Sequence, residues 1–265
     1  MLDLDLHGKT AVVSGSTGGI GYSTALALAT LGAQVVVTGR TAQRVDAAVD
    51  AIARAAGTKD VKGVHGDLAS AEGAANLLRA APQADILVNN LGIFEPKPFE
   101  EIDDADWMRF FESNVLSGVR LSRGYLPGMR SRNWGRIIFV SSESGLQIPA
   151  EMIHYGVTKT AQISLARGLA ESVAGTGITI NSVLPGPTRS EGVGTFVQQM
   201  AKQQGIDEAE MEHRFFRDAR PSSLIGRFLT TDEVANAIAY LCTPAASGTT
   251  GSAMRVDGGV VRSIG

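Results

Sequence analysis

Short apolar runs recur along the chain at Thr10–Ser14, Gln34–Thr38, Val61–His65, Ala84–Asn89, Arg136–Ser142, Ile178–Leu184 and Ala253–Asp257. Most are continuous rather than alternating, as in Ile137-Ile138-Phe139-Val140. Strands of that kind are buried on both faces, which predicts a parallel sheet covered by helices. Between them lie stretches of helical period at about Gly19–Leu31, Thr41–Ala56, Ser70–Ala80, Asp104–Arg130, Ala150–Ala174 and Asp232–Leu241. Ile20, Ala25, Leu28 and Leu31 line one face of the first, and Asp232 suits an N-cap for the last. This β-α alternation predicts a doubly wound α/β fold with right-handed crossovers. No linker, repeat or low-complexity run interrupts it, so one domain over 1–265 is expected.

One segment breaks the rhythm. Between Pro185 and Leu229 no strand is predicted, but two amphipathic pieces are, carrying Phe196, Val197 and Met200, then Met211, Phe215 and Phe216. The segment follows a strand end, where open α/β sheets bind their ligands. A substrate lid at about 190–225 is expected there. A surface helical pair or an oligomer contact is the other reading.

Composition narrows the class. Hydrophobic residues make up 44% of the 265, enough for a large core. The 24 Lys+Arg against 27 Asp+Glu leave no concentrated basic surface, which argues against nucleic acid as a partner. Cys242 is the single cysteine and has no disulfide partner within the chain. With it and four scattered histidines, no metal-ligand spacing appears. The N-terminus lacks the apolar run of a signal peptide, and no stretch approaches the roughly 18 apolar residues of a membrane span. A cytoplasmic protein without membrane contact is therefore expected.

The first strand runs into Gly15-Ser16-Thr17-Gly18-Gly19-Ile20-Gly21 and then into a helix. Glycines there allow a tight turn and close backbone approach to a pyrophosphate, which the helix N-terminus attracts through its free N–H groups and dipole. Gly21 would let the helix pack closely. Strand–glycine loop–helix context predicts a dinucleotide site formed by Gly15, Ser16, Thr17, Gly19, Ile20 and Gly21. At the end of the second strand, a carboxylate would read a ribose 2′-hydroxyl and an arginine a 2′-phosphate. Here Val37-Thr38-Gly39-Arg40 offers Arg40, with Arg44 able to serve equally well. NADP is thus expected in preference to NAD.

At this point the chain resembles the classical short-chain dehydrogenase/reductase family over essentially its whole length. Gly15-x-x-x-Gly19-x-Gly21 is that family's form of the glycine motif. Asp67-Leu68 resembles its adenine-contacting pair, and Asn89-Asn90-Leu91-Gly92 its Asn-Asn-Ala-Gly, with Leu91 a departure expected to narrow the space beside the cofactor. Asn114 matches a helix asparagine, Ser142 and Tyr155-x-x-x-Lys159 the catalytic residues, Pro185-Gly186 a nicotinamide-side turn, and Val256-Asp257-Gly258-Gly259 the C-terminal signature. The resemblance implies a Rossmann-type, predominantly parallel seven-stranded sheet with helices on both faces. It implies cofactor contacts from Asn90, Gly92, Tyr155, Lys159, Pro185, Gly186, Thr188 and Ser190. It also implies a homo-oligomer, tetramer or dimer, with the long helices around 104–130 and 150–174 as contacts.

The residues support the chemistry independently. Tyr155 and Lys159 are four apart on a predicted helix and so share a face. A nearby ammonium would lower the phenol's pKa, letting Tyr155 exchange a proton with a carbonyl or alcohol oxygen. Ser142 would hydrogen-bond the same oxygen. By resemblance Lys159 also holds the nicotinamide ribose, and Asn114 supports a water linking Lys159 to solvent. Glu143 and His154 flank this trio and are read as solvated or structurally paired. Trp107, Phe110 and Phe111 are read as core or interface residues, and Lys202, Arg214, Arg217 and Arg220 as a charged helix face. The expected activity is hydride transfer between a nicotinamide cofactor and a small carbonyl or alcohol, of the NADPH-dependent ketone or 3-oxoacyl-type reductase kind. A cofactor-binding regulatory protein on the same fold would need the glycine loop but no catalytic trio.

Overall fold

Residues 2–264 are described by a computed structural model, Phe196 by its backbone alone, so that apolar position of the predicted lid lies outside the described side chains. Seven parallel strands form one sheet in the order β3-β2-β1-β4-β5-β6-β7. They are β1 (Thr10–Val13), β2 (Gln34–Gly39), β3 (Val61–His65), β4 (Ile86–Asn89), β5 (Gly135–Val140), β6 (Ile178–Pro185) and β7 (Ala253–Val256). Every residue of β4, β5 and β6 is buried, the polar Asn89, Arg136, Thr179, Asn181 and Ser182 included. Strand order reverses between β1 and β4, and a crevice opens at the carboxyl ends of those two strands.

Nine helices are described: α1 (Gly19–Thr30), α2 (Ala42–Ala56), α3 (Ala71–Ala80), α4 (Asp104–Phe111), α5 (Ser117–Arg132), α6 (Ile153–Ser172), α7 (Glu191–Gln204), α8 (Glu208–Asp218) and α9 (Thr231–Cys242). Ser70, Asp103, Ser190, Asp207 and Thr230 each cap a helix by accepting a hydrogen bond from the backbone N–H three residues on. The start of α9 differs from expectation. Thr230 is its N-cap rather than Asp232, because Glu233 reaches back to the Thr230 N–H and closes a capping box.

The continuous helix expected over 104–130 is also interrupted. A π turn at Glu112–Leu116 separates α4 from α5, and Asn114 lies in its middle. Single π turns of this kind are commonly found at functional sites.

Two apolar layers hold the helices to the sheet. One joins Val13, Val35, Ile138 and Val183 to Leu28 of α1, Ile52 of α2 and Ile238 of α9. The other joins Val12, Leu87, Ile137 and Ile180 to Leu77 of α3, Leu121 of α5 and Ala166 of α6. Each fully buried branched side chain contributes about 1.5–3 kcal/mol, so the strand carboxyl ends are held rigidly. A separate small cluster of Val197, Ala201, Met211, Phe216 and Phe228 packs α7 against α8.

Candidate functional site

The crevice at the β1/β4 junction is built by hydrogen bonding across the switch point. Ser14 Oγ accepts from the Asn90 and Leu91 N–H groups at 2.9 Å each. Asn90 Nδ2 donates to the Ser14 and Gly15 carbonyls at 2.9 and 3.0 Å. Asn90 therefore braces the glycine loop, although it also lines the adjoining cavity. Gly15 and Gly19 have φ of +63° and +57°, which only glycine adopts at little cost. Gly21 lets the helix pack closely, as expected: a Cβ there would lie 2.5 Å from Asn90 Nδ2 and from the Gly15 carbonyl, so glycine closes α1 onto the loop.

Ser16 departs from its expected role. Its side chain is fully buried, donating to the Val13 carbonyl at 2.7 Å and accepting from the Thr38 N–H at 2.9 Å. The hydroxyl ties β1 to β2 and does not face the crevice. Thr17, by contrast, lines two cavities. One, of about 400 Å³, is bounded by Gly15, Thr17, Arg40, Arg44, Asp67, Leu68 and Leu91. Arg40 is exposed at its rim, and Arg44 pairs with Glu191 at 3.1 Å. Leu91 lines this cavity, its Cδ1 3.6 Å from where a Cβ on Gly15 would stand. A second cavity, of about 490 Å³, runs over Thr17, Gly18 and Gly19 to Ser190 and Glu191.

A third cavity, of about 430 Å³, adjoins at Ser190 and holds Ile20, Gly92, Ser142, Tyr155, Lys159, Pro185, Gly186 and Thr188. Together the three form a trough from Arg40 to Tyr155. A Cβ on Gly92 would stand 3.2 Å from Lys159 Nζ, so only glycine leaves that wall open. The glycine cradle, the helix N-termini and the terminal arginines match a dinucleotide's diphosphate and phosphate groups. The residues present therefore fit a nicotinamide cofactor. Thr188 and Ser190 reach the trough, but their hydroxyls have local partners: Thr188 donates to the Gly186 carbonyl at 2.9 Å, and Ser190 caps α7.

Ser142 follows β5, and Tyr155 and Lys159 share one face of α6, as their spacing predicts. The Lys159 ammonium lies 5.6 Å from the Tyr155 ring centroid. It donates to the Val140 carbonyl at 3.0 Å and to Gln162 Oε1 at 3.1 Å. Burial pulls its pKa down to about 7. Burial likewise pushes the Tyr155 phenol up to about 12, against the opposing pull of hydrogen bonding with Ser142. The expected lowering of the phenol by its lysine is therefore not seen. Desolvation outweighs it, because the ammonium is itself desolvated and turned onto Val140 and Gln162. At neutral pH the phenol keeps its proton, the state needed in an acid.

Asn114 is fully buried, but its side chain does not touch the reacting corner. Its Oδ1 accepts from the Ile93 N–H at 2.7 Å, and its Nδ2 donates to the Ile93 carbonyl and to Thr158 Oγ1. It is the Asn114 main-chain carbonyl that faces Lys159's surroundings, accepting from Gln162 Nε2 at 2.5 Å. Gln162 was not singled out from sequence, since a glutamine in mid-helix reads as solvent-facing.

Glu143 also proves to be more than a flanking residue. It is buried, accepts from the Ser142 hydroxyl at 3.2 Å and from Ser144, and pairs with Arg220 at 3.1 Å. Arg220 reaches Glu151 as well, at 3.3 Å. Arg214 and Arg217 pair with Glu210 and Asp218, so these arginines are neutralised by neighbouring carboxylates. His154 is packed between Trp107 and Phe110, with neither ring nitrogen hydrogen-bonded. Apolar side chains of Phe94, Met152, Val197, Met200, Phe215 and Phe228 complete the cavity around Tyr155.

Among the described residues no cluster of metal-ligating side chains occurs, and no helix is long and apolar enough to cross a membrane.

Residues 15–261 match the family described as enoyl-(acyl carrier protein) reductase. The chain is 43% identical over 263 residues to the uncharacterized oxidoreductase YvaG of Bacillus subtilis, covering 99% of this chain and 100% of that protein. It is 35% identical over 261 residues to a D-beta-hydroxybutyrate dehydrogenase of Cupriavidus necator, covering 97% and 99%. Among solved structures, L-sorbose reductase of Gluconobacter frateurii, complexed with NADPH and L-sorbose, superposes with a TM-score of 0.93 at 32% identity, covering 99% and 100%.

Proposed function

The chain belongs to the classical short-chain dehydrogenase/reductase family of oxidoreductases acting on alcohol and ketone groups, and from that premise we propose that it is an NADPH-dependent ketone reductase. One observation carries this reading: a protonated phenol, a serine hydroxyl and an ammonium share the cavity at one end of a trough whose other end is lined by arginines. Bound in the trough, the reduced cofactor would supply the hydride.

In this reading Tyr155 gives its proton to the substrate oxygen and Ser142 orients that oxygen. Lys159 favours the phenolate that remains and holds the ribose. Asn114 keeps the Ile93 loop and α6 together through its side chain. Thr17, Gly19 and Ile20 line the diphosphate path, Asp67 and Leu68 the adenine end, and Pro185, Gly186, Thr188 and Ser190 the nicotinamide side. The α7–α8 pair acts as a lid.

The cavity favours an amphipathic ketone. Its apolar wall suits a hydrocarbon portion, while Glu143, Glu151 and Arg220 offer one polar corner. The likenesses to an L-sorbose reductase and to 3-oxoacyl-[acyl-carrier-protein] reductases support a carbonyl substrate at this site. A homo-oligomer, and the cytoplasm as its place of action, complete the proposal.

The test is a panel of ketones and alcohols assayed with NADPH and NADH, on the wild type and on Arg40→Ala and Arg44→Ala. Preference for NADPH, with a loss of about tenfold or more in NADPH affinity confined to the arginine that reads the phosphate, is expected. Equal use of NADH by the wild type and both variants would refute the cofactor assignment.

A further inference from the structure

We propose that Gln162 is a positioning residue of this enzyme, its carboxamide tying the Lys159 ammonium to the Asn114 main-chain carbonyl. The inference rests on reading Tyr155 and Lys159 as the reacting pair.

Gln162 lies three residues beyond Lys159 on α6, hence on the same face, and it is almost wholly buried. Its amide makes one hydrogen bond in each direction: Nε2 to the Asn114 carbonyl at 2.5 Å, and Oε1 from Lys159 Nζ at 3.1 Å. Chemistry fixes this orientation. A carbonyl only accepts and an ammonium only donates, so a flipped amide would oppose two acceptors and two donors. The Asn114 carbonyl belongs to the π turn at Glu112–Leu116. Widening a helix by one residue leaves a carbonyl without its usual N–H, and a buried carbonyl left unpaired is costly.

Two of the three ammonium protons are thereby committed, to Val140 and to Gln162. Nζ also faces Gly92, the position with no side chain, and both residues line the cavity. The third proton is thus directed into the trough. Gln162 aims the lysine as well as anchoring it.

The charged groups acting on this corner from other elements are Glu143 and Arg220, and they act on Tyr155. No carboxylate bonds the ammonium among the described residues.

Gln162→Glu and Gln162→Leu separate this role from mere packing, because they should move Lys159 in opposite directions. The readout is the pH titration of the Lys159 ε-carbon resonance in 13C-lysine-labelled full-length protein, assigned with Lys159→Met, with thermal melting as the check of folding. Relative to wild type, Gln162→Glu should raise the titration midpoint by about one pH unit or more, and Gln162→Leu should lower it. The alkaline limb of the kcat profile should follow in each case, with KM little changed. If Gln162→Leu fails to fold, Gln162→Asn, too short to span both partners, should give the same downward shift. Coincident midpoints, or shifts of one sign in both variants, would overturn the proposal. The resonance is read without turnover, so failure of the Tyr155 assignment would leave this result standing, and the converse holds too.

Discussion

At the residue scale, burial shifts the ionisation of Lys159 in the site and of Cys242 at the end of α9. Lys159 titrates near 7 against an ordinary value of 10.5, because burial penalises its charged form. Between those values the unfolded chain binds more protons than the folded one, so this lysine adds stability as pH rises through the window and costs stability below it. Burial raises Cys242 from 9.0 to about 12, which works in the opposite sense above pH 9. The clean interval is therefore about pH 7 to 9. Urea unfolding across it should show wild type gaining about 2 kcal/mol more than Lys159→Met. Equal slopes for the two proteins would mean that the ammonium is not desolvated as described. Helical spacing was enough to put Tyr155 and Lys159 on one face, and the family resemblance brought Ser142 to them. Neither could show that Ser16 turns inward or that Glu143 is buried against Arg220, since those outcomes depend on partners at 22 and 77 residues' separation.

At the scale of elements, the strands were legible and the junctions were not. Continuous apolar runs allow little besides buried parallel strands, and all seven appear within two residues of their expected bounds. The π turn at Glu112–Leu116 was invisible, because helical periodicity over 104–130 continues on either side of it. The start of α9 shifted because Thr230 and Glu233 cap it reciprocally, a pattern that outranks a lone aspartate. The α7–α8 pair lies where two amphipathic pieces were expected, and the Arg220–Glu143 contact just beyond α8 ties that pair to the serine corner. Removing one partner of a buried ion pair leaves the other charge uncompensated. Arg220→Ala should therefore raise KM by about tenfold and speed proteolytic nicking between residues 191 and 218. Unchanged KM and unchanged cleavage would show that the latch is dispensable.

At the scale of the whole molecule, the fold class followed from the order of strands and helices. Phe99, Met108 and Val157 lie on or beside helices assigned to the expected subunit contacts, and 56%, 60% and 36% of their surfaces are exposed. Sedimentation equilibrium at micromolar concentration should give an integral multiple of 27.7 kDa, two or four. A monomer mass would remove the assembly proposal and leave the site untouched, since the trough is built from one chain. The proposed reaction turns on a single proton, that of Tyr155, in the cavity at the end of that trough. Tyr155→Phe keeps the ring and removes only the acid, so NADPH affinity should stay within about threefold while turnover of the identified substrate falls by about a thousandfold. Turnover persisting at the wild-type rate would contradict the account.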